Sequence, residues 1–170
     1  MFNLPFYNYS SDAITRSNHY SPLLCWDIAH PALAKRIQIA EDIGEVEQLR
    51  THYNWQLMIN FYKLLTNNFT LVVTNLKKEI IWASQGFQAM TQYSLAESIG
   101  KNPGFLQGER TSLKTKQLVR TKLANFEIVE TKLLNYRKDG EAYWCEVKIY
   151  PIQDSEGAFT HFIAVEKEVD

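Results

Sequence analysis

Cysteine is scarce in this chain, and its two copies, Cys25 and Cys145, lie far apart with no second ligand at metal spacing. That excludes a disulfide framework and a zinc finger, and reduced thiols are the expected state. An excess of one charge is also missing. With 18 basic and 19 acidic residues the formal charge is −1, and neither sign forms a long block, so there is no electrostatic footprint for nucleic acid or an anionic membrane. No stretch approaches the roughly 18 apolar residues of a membrane span. The Asn-, Ser- and Tyr-rich start lacks the basic and apolar regions of a signal peptide. A soluble, cytoplasmic protein that binds neither nucleic acid nor membrane is the expectation. Catalytic sets are equally absent from the pattern: there is no phosphate-cradling Gly-Lys-Ser turn and no legible Ser/His/Asp set or carboxylate pair, so an enzyme is not expected. The histidines His19, His30, His52 and His161 have no spacing that suggests metal or haem ligation.

What the chain does contain is enough apolar residue, 45% of 170, for one domain and an appendage. Residues 1–30 read as a flexible leader. Residues 31–68 read as an amphipathic helical cap. Within it Pro31 suits a helix start, Gly44 a stop, and Val46, Leu49, Tyr53, Leu57, Phe61, Leu64 and Leu65 keep the spacing of a second helix ending at Asn67-Asn68. From Phe69 the pattern changes to short β-rich runs, 70–74 and 80–83, which form a hairpin. A helix over 84–92, a glycine-rich turn over 100–108 and a helix over 111–125 follow. That last helix offers Leu113, Gln117, Val119, Leu123 and Ala124 as an inner face. Strands over 127–136, 142–152 and 158–165 close the chain, joined by links rich in turn residues.

Strand, strand, helices and three further strands make an α+β arrangement, a five-stranded antiparallel sheet with short helices on one face and a helical extension before it. Alternation in the fourth strand puts Tyr143, Cys145, Val147 and Ile149 on the helical side and Trp144, Glu146, Lys148 and Tyr150 behind. Phe162 and Ala164 join the first set, Ile163 and Val165 the second. The back of the sheet is therefore partly apolar, which is either an interface or a surface for the 31–66 helices to cover, in cis or from a second subunit. Trp144, Tyr150, Ile163 and Val165 are the interface candidates.

Residues 69–170 resemble the PAS domain family, on the 84–93 helix, the Gly100-Lys101-Asn102-Pro103 turn, Lys138-Asp139-Gly140, Tyr143-Trp144 and Thr160 to Val165. Phe105-Leu106-Gln107-Gly108 and Leu134-Asn135-Tyr136 are similar to motifs of its flavin-binding, light-sensing LOV branch. That resemblance implies ribityl contacts at Asn102 and Gln107, a phosphate contact at Arg120 and a ring-reading amide at Asn135. It also implies departures. Pro103 stands at the photoreactive cysteine's position and Gly104 at a second phosphate arginine's. Cys145 takes the place of a second ring-reading amide, and Glu166 that of the glutamine beside the ring. Adduct photochemistry is thereby closed, and each unpaired buried polar group costs about 1–3 kcal/mol of affinity. A protonated Glu166, and Lys101 or Lys114 near the phosphate, would offset part of that.

Plainer readings stand beside these. Amides such as Asn102, Gln107 and Asn135 also cap helices and satisfy turns, Arg120 fits a solvated helix face, and Trp144 fits a strand residue tucked under its own cap. The leading functional expectation is a stand-alone PAS-type sensory or interaction module, homodimeric, acting in trans on a signalling partner through ligand or partner binding. A cysteine-less FMN sensor of light or redox state is the alternative, and a ligand-free dimerisation adaptor with a filled core is the third.

Overall fold

The computed structural model describes the backbone of residues 23–170 and side chains from His30 onward; most of the expected leader lies outside the described residues. One long helix, α1 (Leu23–His52), opens the described chain. Pro31 lies inside it rather than at its start, and Gly44 does not end it. At Gly44 an added Cβ would meet nothing within 4 Å, so nothing there requires glycine's special freedom and the helix runs on. Its end comes at Asn54, in the left-handed region with φ 53°.

The spacing that predicted a continuous second helix over 46–65 is broken at 53–60 for a tertiary reason. Trp55 is 3% exposed in the core beneath α1. Its indole Nε1 donates to Nδ1 of buried His161 at 3.2 Å, and Tyr53 stacks on it. The next residue, Gln56, donates its N–H to the carbonyl of Gln153 at 2.8 Å. Burying an indole of this size outweighs continued helix propensity. The chain re-enters a helix at α2 (Phe61–Thr66), where Asn60 Oδ1 accepts the Lys63 N–H at 2.8 Å.

Five strands follow: β1 (Thr70–Asn75), β2 (Ile80–Ala83), β3 (Val129–Tyr136), β4 (Ala142–Gln153) and β5 (Phe159–Val169). They form one antiparallel sheet in the order β2-β1-β5-β4-β3. Between β2 and β3 lie α3 (Gly86–Thr91), α4 (Leu95–Ser98), a 3-10 turn (Pro103–Leu106) and α5 (Leu113–Ala124), which form the helical wall on the front.

The two faces are closed differently. Behind the sheet, Val46 of α1, Trp55, and Phe61 and Leu65 of α2 pack on Leu71, Val73, Ile152, Ile163 and Val165. The cap therefore covers β1, β5 and the end of β4 in cis, and each large apolar side chain buried there contributes about 1.5–3 kcal/mol. Ile163 and Val165, nominated for an interface, are 0% and 8% exposed beneath the chain's own helices, and Tyr150 packs at the margin of the same cluster. Trp144 is not tucked under the cap. It stays 47% exposed on the part of the back that α1 and α2 do not reach.

On the front, the inner face expected of α5 is only partly right. Val119 and Leu123 turn toward the sheet, but Leu113 is 80% exposed and Gln117 and Ala124 face solvent. No residue of α5 is fully buried. The helix walls a hollow rather than sealing a core, so its apolar pattern is weak where a packed helix would show a stripe.

Candidate functional site

That hollow is a partly open cavity of about 410 Å3 walled by the sheet, α5 and the glycine-rich turn, within the range of about 300–1,000 Å3 usual for small-molecule sites. Its floor is apolar: Val72 of β1, Phe162 and Ala164 of β5, Val147 and Ile149 of β4, and Leu133 of β3. Polar groups gather around this floor. Asn102, Gln107, Asn135 and Glu166 line it, and so do three cations, Lys78, Lys116 and Arg120.

Local structure explains how the wall is set. Gly100 takes φ 81°, and the turn is laced to the β2 edge by Gly100 N–H to Ile80 C=O at 2.8 Å and Ile80 N–H to Lys101 C=O at 2.9 Å. Asn102 Oδ1 then accepts the Gly104 N–H at 2.9 Å and caps the 3-10 turn. The plainer role of that amide is thus real, and its residue lines the cavity as well. Gln107 forms an isolated antiparallel bridge with Asn135, tying the wall to β3. One step on, the chain runs so close to Tyr136 that a Cβ on Gly108 would sit 2.4 Å from the ring. Thr111 fastens the entry to α5, its hydroxyl donating to the Leu134 carbonyl at 2.5 Å and accepting from Gly108 N–H at 3.0 Å.

Two buried groups of the cavity lining have unmet chemistry. Asn135 is 6% exposed, and its Oδ1 has no hydrogen-bond partner. Glu166 is 8% exposed, and burial pushes its carboxyl up to about 7. A carboxyl in that state is partly neutral near pH 7 and can donate a hydrogen bond. Neighbouring Tyr143 also has a buried hydroxyl without a partner.

Of the positions the resemblance singles out, Asn102, Gln107, Arg120, Asn135 and Glu166 are brought together around this one cavity, with Pro103 and Gly104 beside them. Cys145 is not among its lining. Its Sγ lies 4.0 Å from Glu166 Oε2, and burial, reinforced by Glu166, pushes the thiol well above its usual range, so it stays protonated. The lysines proposed for the phosphate end are also corrected. Lys101 instead sits 5.1 Å from the Phe105 ring centre, and Lys114 points to solvent. Lys116 and Lys78 line the cavity in their place. Lys116 was findable, four residues before Arg120 and so on the same helical face. Lys78 was not, since only the β1–β2 turn brings it there, in the left-handed region with φ 65°. Among the described residues no group of three His, Cys, Asp or Glu side chains is placed to hold a metal, and no helix is long and apolar enough to cross a membrane.

Comparison with known proteins decides the family. The PAS domain family matches residues 67–169, about three-fifths of the chain. The chain belongs to the PAS domain family. Within it, this PAS domain is 40% identical over 90 residues to Phototropin-2 of Oryza sativa subsp. japonica, covering 53% of this chain and 10% of that protein. It is 35% identical over 90 residues to a blue-light-activated histidine kinase of Brucella anthropi, covering 53% of this chain and 18% of that protein. The match thus spans between a tenth and a fifth of these curated relatives. Among solved structures, a light-oxygen-voltage domain described with a flavin analogue superposes with TM-score 0.61 at 35% identity, over 65% of this chain and 84% of the other. The LOV domain of the Erythrobacter litoralis EL346 histidine kinase superposes with TM-score 0.57 at 29% identity, over 59% of this chain and 95% of the other.

Proposed function

We propose that this PAS domain is a sensory module that holds flavin mononucleotide non-covalently and responds to light or redox state without forming a thiol adduct. The observation that carries the reading is the cavity itself, an apolar slot with a partnerless amide oxygen and a protonatable carboxyl among its lining and three cations besides. A planar ring with polar edges and an anionic tail fits that distribution of groups. Asn135 and Glu166 would read the ring edge, Asn102 and Gln107 the chain that follows, and Lys78, Lys116 and Arg120 the phosphate. A bound flavin supplies blue-light absorption and reversible electron transfer. The chain's own part is to seat it on Val72, Val147 and Ala164 and to exclude water from the floor. Pro103 lines the cavity at the position where the resemblance places a reactive cysteine, and Cys145 is outside that lining with its thiol held protonated.

A cavity of this size argues against the filled-core adaptor, and the flavin reading narrows the broader ligand-sensing one. For output, β5 offers a short path: Glu166 faces the cavity while Val165 and Ile163, on the same strand, lie under α1 and α2. A change at Glu166 would alter how the cap sits and would be read by a signalling partner or a second copy meeting the open back around Trp144. Titration of the purified protein with FMN tests the reading. Saturable one-to-one binding that quenches flavin fluorescence is expected. No binding of FMN across the folded pH range would sink it.

A further inference from the structure

Glu166 is a carboxyl on the front of β5 with no ionic partner. Its register neighbours are Thr70 on β1 and Val147 on β4, neither charged. Cys145 contributes only a neutral thiol, at 4.0 Å, and the Tyr143 phenol, which interacts with Glu166, is kept neutral by burial. Glu168, next on the same face of β5, is engaged by Arg137 at 2.6 Å. The cations of the cavity wall, Lys78, Lys116 and Arg120, make no ion pair with Glu166, and no ion pair among the described residues includes it.

Resting on the flavin reading, we infer that Glu166 makes ligand capture proton-linked: its carboxyl receives an acceptor edge of the ring only as a protonated donor, so rising pH releases the ligand. An ionised carboxylate has no donor. It would face ring acceptors with like-signed lone pairs above the apolar surface of Val147 and Ala164, where an uncompensated charge is costly. Asn135 adds the complementary demand, because its partnerless Oδ1 calls for a donor. The pair therefore specifies a ligand edge that offers a donor to Asn135 and an acceptor to Glu166. The physical setting supports a switch near neutrality, since desolvation raises this carboxyl from 4.5 to about 7 and no facing charge opposes the rise.

The test uses FMN as the probe, with affinities measured at pH 6 and pH 8. If only the protonated form binds, a carboxyl titrating at about 7 weakens FMN binding about tenfold over that interval. Calorimetry in two buffers of different ionisation heat should show proton uptake on binding at pH 8. In E166Q the side chain always carries a donor, so the loss at pH 8 should vanish and leave only the dependence from the FMN phosphate's own ionisation at about pH 6, which both proteins share. Wild-type affinity unchanged between the two, or a pH slope in E166Q equal to the wild type's, overturns the linkage and leaves the flavin reading standing. FMN bound by neither protein at either pH ends the flavin reading and the linkage with it. Should E166Q not fold, wild-type proton uptake decides: about one proton supports the switch and none refutes it.

Discussion

Replacing Asp42 with asparagine should stabilise the docked cap at neutral pH and leave it nearly unchanged in acid. Asp42 lies on the inner face of α1, 3% exposed, and both its oxygens accept the Gln85 N–H, at 3.0 and 3.3 Å. Desolvation raises its carboxyl from 3.8 to about 6 against that hydrogen bond, with Glu45 and Glu41 adding to the rise. A raised carboxyl pKa means that the folded state binds the proton more tightly than the unfolded chain does. The favourable contribution is present below about 4 and is lost as pH climbs to about 6. At 1.36 kcal/mol per pH unit the loss is at most about 3 kcal/mol. Solvent screening along the cap edge brings the expected figure to about 1–2 kcal/mol. Asparagine keeps an acceptor for Gln85 N–H and removes the charge. Urea unfolding of wild type and D42N at pH 4.5, 6 and 7.5 should therefore show a gain for D42N that grows with pH. D42A should instead lose about 1–2 kcal/mol at pH 4.5, since it leaves a half-buried N–H unpaired. Equal destabilisation of D42N at all three pH values would refute the reasoning, because the hydrogen bond and not the desolvated charge would then dominate.

Further outcomes follow from the cavity and its surroundings. The G108A variant places a methyl against the Tyr136 ring, 2.4 Å from its nearest carbon, and should lose about 1–3 kcal/mol of stability by thermal unfolding; an unchanged midpoint would mean the two segments separate freely. The double variant K116A/R120A should weaken FMN about tenfold or more and leave riboflavin unaffected, as expected if these cations hold the phosphate; equal losses for both ligands would place them elsewhere. On the open back of the sheet, W144A should change stability by less than about 0.5 kcal/mol while lowering any dimer fraction in light scattering. I163N should cost about 3–5 kcal/mol, because Ile163 lies fully buried beneath the cap, and retained wild-type stability in that variant would contradict the cis packing.

Strand parity was the most legible part of the chain. Tyr143, Cys145 and Val147 are buried while Trp144 and Glu146 face out, as period-two alternation requires. The hairpin of β1 and β2 and the links around Gly140 and Gly157 were equally plain, since their chemistry is local. Helical boundaries failed where tertiary packing intervened: Trp55 reached for His161 and broke a run whose spacing was otherwise helical. The inner face of α5 was misjudged for the opposite reason, because a helix over a hollow is under little pressure to carry a clean apolar stripe. At the site, Asn102 and Gln107 were nominated by the family resemblance, and because both lie in one short turn they reach one cavity together. Lys78 reaches the cavity through a turn, and Cys145, on the same face as Val147, is packed away from the lining with Met90 and Tyr143, neither of which a linear pattern encodes.

Mass spectrometry of the purified, FMN-incubated protein, first under native and then under denaturing conditions, tests the central claim most directly. One FMN per chain in the native spectrum, lost entirely on denaturation both before and after illumination, is the predicted result. A flavin that stays attached after illumination and denaturation, or a native spectrum of the bare chain alone, would contradict it.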